Sequence, residues 1–523
     1  MTDMPALRID PSVSGTSEQN PRWVLCASVL AASMVFIDGT ALNVALPSLQ
    51  ADLRADGRDL FWMNNAYALI LAALLLPGGA LGDRFGRKRI YMAGICIFAG
   101  ASLCCGLAPT PELLIAARAV QGVGGALMIP GSLAIIANAF GADQRGKAIG
   151  TWSAFTVIAS AVGPVLGGML ADGSFWRGVF FLNLPLALVA LVVLRFKVSE
   201  SRDVAVPKHL DYLGALLATT GLAAINYGLI EAPRHGLGGW QTLLSLSIGM
   251  VALILFVMVE RRRNHALLPI SLFRSRTLAG ASILTLCFYS ALHGMLFFLP
   301  LNLIQVQGYS ATSAGLTQLP LMICLAFLSR WAGGLMDRFG PRLPLTLGPA
   351  VAGFGFFLFT LPELTNGPAG FWINYLPALL LLGFGMGITV APLSTTVIGS
   401  VPSNRIGVAS GINSTLSRLS AVLAIAILGP IALVAFNRAL QSRTLHLDLP
   451  ADARSVLATE AAKLGEAKPP AGLIETTRRE VEHQIKLAFV DIFRLVAGVA
   501  AGLSWLSALI AMLLMKSHRL NAD

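Results

Sequence analysis

Apolar residues in this chain arrive in blocks about 20 long, the length a helix needs to cross a hydrocarbon core of roughly 30 Å. Fourteen such blocks follow one another, most of them separated by short charged links. One block could be a signal peptide or a buried helix; fourteen cannot. Of the 523 residues 55% are hydrophobic and 12% charged, where a soluble domain carries about 25% charged residues to wet its surface. Lipid must cover much of the chain, so the expected fold is an all-α polytopic membrane protein. The spans are placed near 24–47, 62–82, 90–108, 113–136, 149–170, 178–195, 211–230, 241–259, 278–303, 316–335, 343–361, 372–395, 408–437 and 487–515.

The first twenty residues are polar and mixed in charge, without the basic start and apolar core of a cleaved signal, and read as a cytoplasmic tail over 1–21. The six cysteines lie inside apolar blocks with no C-x-x-C pair and read as small hydrophobes. A formal net charge of +11 raises nucleic acid as a partner, but the basic residues sit at span ends rather than on one face. The positive-inside rule accounts for them. RFGRKR, KVSESRD, ERRRN and LFRSR fall in alternate connections, while the opposite short loops hold only Arg54, Arg58, Arg177 and Arg234. Both termini are therefore expected inside. The long polar stretch 438–486 breaks the pattern; it is expected on the outer side as a linker or cap, with E-T-T-R-R-E-V-E-H able to form a short surface helix.

P-G-G-A-L-G-D-R-F-G-R-K-R at 77–89 returns as W-A-G-G-L-M-D-R-F-G-P-R at 331–342, each copy after the second span of a six-helix set. Two homologous halves related by rotation about the membrane normal follow from this. They are an amino-terminal bundle over 22–200 and a carboxy-terminal bundle over 261–515. An inserted helix pair over 201–260 lies between them, and a tail over 516–523 ends the chain.

In the first copy Gly79 and Gly82 would allow close helix approach and Gly86 a tight turn, while Asp83 pairs or faces a helix end and Arg84, Arg87, Lys88 and Arg89 stay in the interface. The motif reads as a conformational latch, with topology and loop packing as the plainer alternative. The second copy keeps Asp337, Arg338 and Gly340 but carries Pro341, and reads as the weaker latch. Asp38 lies well inside the first span, where a lone carboxylate must face the bundle interior, pair, or carry a proton. Asn43 is expected to share its polar network. Arg118 poses the same problem with the opposite sign and needs an acid, carbonyls or water, unless it snorkels from the outer end; Gln121 is one turn on. Gly163, Pro164, Gly167 and Gly168 mark the fifth span for tight packing and bending, hence gating.

Asn65, Tyr67, Tyr289, His293, Phe297 and Gln305, with Trp62, Asn64, Phe288, Phe298 and Gln307 beside them, offer aromatic and neutral polar surface for an organic ligand. Interface anchoring explains several of them equally well. His293 is expected to be a neutral, hydrogen-bonded histidine. Arg330 and Arg418 are near cytoplasmic ends or line the cavity, and Asp491 with Arg494 should satisfy one another three residues apart. No G-x-x-x-x-G-K-S/T, no H-E-x-x-H and no hydrolytic constellation is present. That disfavours an enzyme or an ATP-driven pump and leaves an ion gradient as the energy source.

F-I-D-G-T-A-L-N-V-A-L-P, W-x-x-x-A-Y, G-A-L-G-D-R-F-G-R-K-R, R-A-V-Q-G-V-G-G-A, G-P-V-L-G-G, W-R-G-V-F-F-L-N-L-P, L-L-P-I-S-L-F-R, Q-V-Q-G-Y-S-A-T-S-A-G-L and R-I-G-V-A-S-G-I-N occur in that order. Together they make the chain, from about 22 to 515, resemble the major facilitator superfamily, in particular its fourteen-span drug:proton antiporters (EmrB/QacA-like). The resemblance implies export from the cytoplasm driven by proton entry, with no cofactor, across a bacterial inner membrane. It assigns Asp38 and Arg118 to proton coupling, Asp83 and the basic residues after it to the cytoplasmic gate, and Gly163 and Pro164 to the antiporter motif. The implied substrate is a drug, dye, antibiotic or lipophilic metabolite, and some members work with a periplasmic adaptor and outer-membrane channel. Asp38 is the one clear membrane-embedded acid before the last span, apart from Asp211 and Glu231 at helix ends, which leaves a neutral, zwitterionic or anionic substrate open. Uptake of a nutrient or metabolite, and a non-transporting sensor, are the competing functions.

Overall fold

The computed structural model describes residues 21–515, apart from 141, 201–210, 237, 263–269, 366 and 402–405. Among the described residues there is no strand. Five long helices open the chain: α1 (Pro21–Leu53), α2 (Gly57–Phe85), α3 (Arg87–Leu107), α4 (Pro111–Ala139) and α5 (Ala142–Asp172). Short α6 (Gly178–Phe181) leads into α7 (Asn183–Lys197), and α8 (Tyr212–His235) and α9 (Trp240–Arg262) form a hairpin. α10 (Arg276–Leu301) runs into a π turn over Asn302–Val306; α11 (Ala311–Leu316), α12 (Leu319–Phe339) and α13 (Arg342–Leu358) follow. Short α14 (Phe371–Asn374) precedes α15 (Leu376–Gly399), and α16 (Ile406–Thr444), α17 (Ala451–Glu460) and α18 (Glu475–Leu514) complete the order.

Twelve described helices are long and apolar enough to cross a membrane. The second and eleventh apolar blocks are α2 and α13, which stand outside that twelve, α13 because it has only 17 residues. Local chemistry starts several of these helices where it should. Asp56 and Asp59 form a capping box at α2, each accepting from the other's backbone N–H at 2.8 and 3.0 Å. Thr110 caps α4 ahead of Pro111, and Ser275 caps α10.

Helices α1 to α7 pack on one another, chiefly α2 with α4, α1 with α5 and α3 with α4. α10 to α18 form a second packed set, led by α13 with α15, α12 with α15 and α13 with α18. The α8–α9 hairpin sits at their seam, where α8 touches α2 and α16. α9 buries only a stripe of Thr242, Gly249, Ala252 and Glu260, and exposes Leu243, Leu244, Ile248, Val251, Ile254 and Leu255. A helix with so much bare apolar surface is stable only against lipid.

Four expectations require correction. The polar stretch 438–486 is not one loop: α16 runs on to Thr444, α18 begins at Glu475, and E-T-T-R-R-E-V-E-H is the first part of that 40-residue helix. Its charges pair at i,i+3 and i,i+4, Glu475 with Arg478 and Arg479 at 2.8 Å each, which lets the helix continue outside lipid. The remainder folds inward as a cap, burying Leu449, Leu457, Ala461, Leu464 and Ala467. Asp491 and Arg494 do not pair with each other. Asp491 holds Arg443 of α16 bidentately at 2.8 and 3.1 Å, and Arg494 donates to the carbonyls of Leu361 and Pro362, because helix packing offered each a better-aligned partner. Among the described residues Gly82 serves no close approach: a Cβ there would meet nothing within 4 Å, whereas one at Gly79 would come within 3.3 Å of Pro130.

The fourth correction concerns Asn43, treated with the site. Both copies of the repeated motif end their helix at a glycine of positive φ, Gly86 at 110° and Gly340 at 72°, each closing the last turn through its N–H.

Candidate functional site

Asp38 sits midway along α1 with its side chain fully buried, and Arg118 of α4 is 1% exposed. Their charges meet: Arg118 Nη1 donates to Asp38 Oδ2 at 2.5 Å. A buried pair persists only when its remaining hydrogen-bonding capacity is filled. Here Asp38 Oδ1 accepts from Gln121 Nε2 at 3.0 Å and from Asn183 Nδ2 at 3.3 Å. Arg118 also donates to Gln121 Oε1 at 2.7 Å and through Nε to the Met63 carbonyl at 3.3 Å. Its guanidinium lies over the Tyr67 ring, 4.3 Å from the centroid, so a π face shields the side that no oxygen reaches.

A second layer holds the first. Ser102 of α3 accepts from Asn183 at 2.9 Å and from Gln121 at 3.4 Å, and gives its own proton to the Phe180 carbonyl at 2.9 Å. Six helices, α1 to α4, α6 and α7, thus contribute to the network around one carboxylate, which itself accepts from α4 and α7. Asn183 reaches it because the break between α6 and α7 places it in the first turn of α7, where Pro185 is tolerated and the side chain points into the bundle. A proton on Asp38 would cancel its charge and leave Arg118 to find other partners, which would change how α1, α4 and α7 hold together.

Of the residues singled out from sequence, Asp38, Arg118, Gln121 and Tyr67 are brought together. Snorkelling of Arg118 is excluded by its burial. Asn43 does not share the Asp38 network; it turns toward α2 and accepts from Asn64 at 2.8 Å, since five residues along a helix rotate a side chain well away. Asn65 ties α2 to the hairpin and to α16, donating to Asn226 Oδ1 at 3.0 Å and the Val422 carbonyl at 3.3 Å. Trp62 also faces the hairpin, its Nε1 donating to Glu231 at 3.2 Å beside Arg58. Phe288, Phe297 and Phe298 are core residues; Phe297 and Phe298 pack on Phe61 across the seam between the halves rather than lining a cavity. Gln307 braces the 363–365 loop. Tyr289 and His293 stack on one face of α10, with ring centroids 6.0 Å apart, and Arg418 of α16 is half-buried nearby. Ser102 and Asn183 escaped sequence reasoning, although each is a polar residue within an apolar span, the one signal available.

The gating candidates divide by end of the molecule. At the end carrying the 54–56 and 173–177 loops, Gly163, Gly167 and Gly168 line α5 where it meets α1 and α11; a Cβ on Gly168 would run into the Ala311 backbone. Asp172 accepts from the Ala311 and Thr312 N–H groups at 2.8 Å each, capping α11 across the seam. Gln305 donates to Gln50 at 2.9 Å, and Gln50 donates to the Lys463 carbonyl of the cap at 3.0 Å. Among the described residues, the hydrogen bonds joining the two sets of helices include these four and Asn65 to Val422. At the opposite end Glu200 accepts from the Lys88 and Arg89 N–H groups at 2.9 and 3.1 Å, capping α3 just past Gly86. Lys88 Nζ in turn donates to the Val198 carbonyl at 2.6 Å. Arg84 and Arg338 are exposed and Arg87 half-buried. The side chains of Asp83, Arg330 and Asp337 lie outside those described.

A family model described as the Major Facilitator Superfamily matches residues 28–425. The chain is 33% identical over 471 residues to the multidrug resistance protein Stp of Mycobacterium tuberculosis, covering 89% of this chain and 86% of that one. It is 30% identical over 489 residues to the tetracenomycin C resistance and export protein of Streptomyces glaucescens, covering 92% and 90%. Among solved structures, a bacterial homolog of the human lysosomal transporter Spinster, inward-facing and unoccupied, superposes with a TM-score of 0.66 at 18% identity, over 94% of this chain and 98% of that one.

Proposed function

Because this chain belongs to the Major Facilitator Superfamily and so is a membrane transporter, we propose that it is a proton-coupled antiporter exporting a small organic compound from the cytoplasm. The carrying observation is the fully buried Asp38–Arg118 pair with its Gln121 and Asn183 donors. An ionisable pair costs several kilocalories per mole to bury and earns its place in a membrane protein by function more often than by stability. Protonation of Asp38 is the coupling step: it releases Arg118, and the helices that met on the carboxylate are free to shift. The outward direction is supported by the relatives named for drug resistance and export.

In this reading fourteen spans cross a bacterial inner membrane with both termini in the cytoplasm, and the units 22–200 and 261–515 rock about the seam, with 201–260 inserted beside it. Gln50, Gln305, Asp172 and the inward-folded cap hold the outer side shut in the state described here, while the Gly86 turn and Glu200 form the cytoplasmic latch in which Asp83 takes part. A periplasmic adaptor, if one serves this chain, would meet the face that α17 occupies. The test is substrate-driven proton movement by the purified protein in proteoliposomes, across a chemically broad panel, with Asp38→Asn beside the parent. A ligand that moves protons through the parent and not the variant is the expected result, and doing so without added protein would show that export needs no adaptor. Ligand flux with no proton movement in the parent would overturn the coupling.

A further inference from the structure

Arg418 lies about a third of the way along α16, a helix tied to its neighbours on both sides. Asn413 Oδ1 accepts from Thr285 of α10 at 3.1 Å, the Ser420 carbonyl from Ser290 of α10 at 3.2 Å, and the Val422 carbonyl from Asn65 of α2 at 3.3 Å. α16 is thus tied to α10 and to α2 around Arg418, which is half-buried and whose charge acts on Tyr67 and His293. Among the described residues no carboxylate and no hydrogen-bond acceptor is recorded against it. Arg118, by contrast, holds Asp38, Gln121 and the Met63 carbonyl. A guanidinium cannot shed its proton to escape burial, so its partner has to come from elsewhere.

The surrounding groups share its condition. Thr415, one turn earlier on the same face of α16, has a buried hydroxyl with no partner, and so has Tyr67. His293 Nδ1 lies 2.7 Å from the Tyr289 carbonyl; a carbonyl only accepts, so Nδ1 carries the hydrogen and Nε2 is left as an acceptor. The Tyr289 ring stacks on the imidazole, which makes a flat wall beside these groups. One cation, two orphaned hydroxyls, one free acceptor and an aromatic wall are what a planar organic acid lacks in an apolar medium.

We infer that Arg418, Thr415, Tyr67 and His293 form a binding site for an aromatic organic anion, its carboxylate on Arg418 and the two hydroxyls and its ring against Tyr289. The inference deepens the export reading by naming a substrate class, and it rests on that reading only for the fate of the ligand, since the charge preference of the site is independent of transport. A lipophilic cation would meet Arg418 with like charge, and the acid that acts on Tyr67, Asp38, is already paired with Arg118.

Binding of 1-hydroxy-2-naphthoate, its methyl ester and tetraphenylphosphonium to the full-length protein in detergent tests this, read by equilibrium dialysis, with thermal stabilisation by a panel of aromatic carboxylates as a second readout. The acid should bind more tightly than the ester by about 10-fold to 100-fold, the loss expected when a charge-assisted hydrogen bond is removed. Arg418→Gln should erase that difference while leaving ester binding as it was, which also shows the variant folded; Arg418→Lys should keep part of the preference and Thr415→Val most of it. Equal binding of acid and ester, a preference that survives in Arg418→Gln, or a panel in which no carboxylate stabilises the parent more than Arg418→Gln would each overturn the site. Acid binding through Arg418 with no proton-driven flux would leave the site standing and remove export; proton-driven flux of cations and esters alone, indifferent to Arg418, would do the reverse.

Discussion

Arg118 in the first set of helices and Arg418 in the second both lie deep in the bundle, but they are provided for differently. Arg118 has Asp38 at 2.5 Å, Gln121 at 2.7 Å, a backbone carbonyl and the Tyr67 ring. Arg418 has, among the described residues, neither an acid nor a recorded acceptor, and an unpartnered Thr415 hydroxyl beside it. Tyr67 stands between the two, its ring under Arg118 and its hydroxyl unfilled. A neutralised network stores its own answer to a proton; an unneutralised one waits for a ligand. The contrast suggests a division of labour in which one half carries coupling and the other recognition, joined through one aromatic side chain.

The largest expected effect falls on coupling. Asp38→Asn should abolish gradient-driven transport while the protein still inserts and binds ligand, measured as proton flux and as counterflow in proteoliposomes; unchanged proton-driven transport would end the assignment of Asp38. Next comes a stability comparison between the two arginines. Arg118→Gln strands a buried carboxylate and should cost about 3 to 5 kcal/mol, part of which the double variant with Asp38→Asn recovers. Arg418→Gln strands nothing and should leave thermal unfolding in detergent unchanged or slightly raised. Equal losses at both positions would break the comparison.

Smaller effects are expected at the two ends. Glu200→Gln removes the charge from the cap on the Lys88 and Arg89 amides and should weaken it by about 1 kcal/mol; slower transport with unchanged ligand affinity is the expected outcome, and an unaltered rate would leave the loop a matter of packing alone. Gln305→Ala should be smallest: losing one neutral hydrogen bond of about 1 kcal/mol would shift the balance toward the outward-open form roughly fivefold. Labelling of a cysteine placed at the outer seam would report it.

Much of the fold was legible because a helix in lipid is a local affair. Span length, the Asp56, Thr110 and Ser275 caps and the glycine turns at Gly86 and Gly340 follow from residues within a few positions of one another. The candidate site was half legible. Asp38 and Arg118 stood out because an unpaired charge inside an apolar span calls for an explanation, whereas Ser102 and Asn183 did not, because neutral polar residues are affordable there. Phe297 and Gln305 were open to two readings, and here they hold helices together: an aromatic or amide at the edge of a span serves equally to line a cavity or to join two helices. Asp491 and Arg494 fitted a local pairing rule and took distant partners instead.

What the sequence alone determined, then, is an all-helical membrane fold, where its apolar segments lie, the repeated motif and which charges are costly. What tertiary structure decided is who meets whom. Asp38 and Arg118 are 80 residues apart, Asn65 and Val422 are 357, and Gln50 and Lys463 are 413. Apolar length is read by the bilayer one helix at a time, but a buried polar group is satisfied only by whichever helix face packing rotates toward it, and that rotation depends on every neighbour at once.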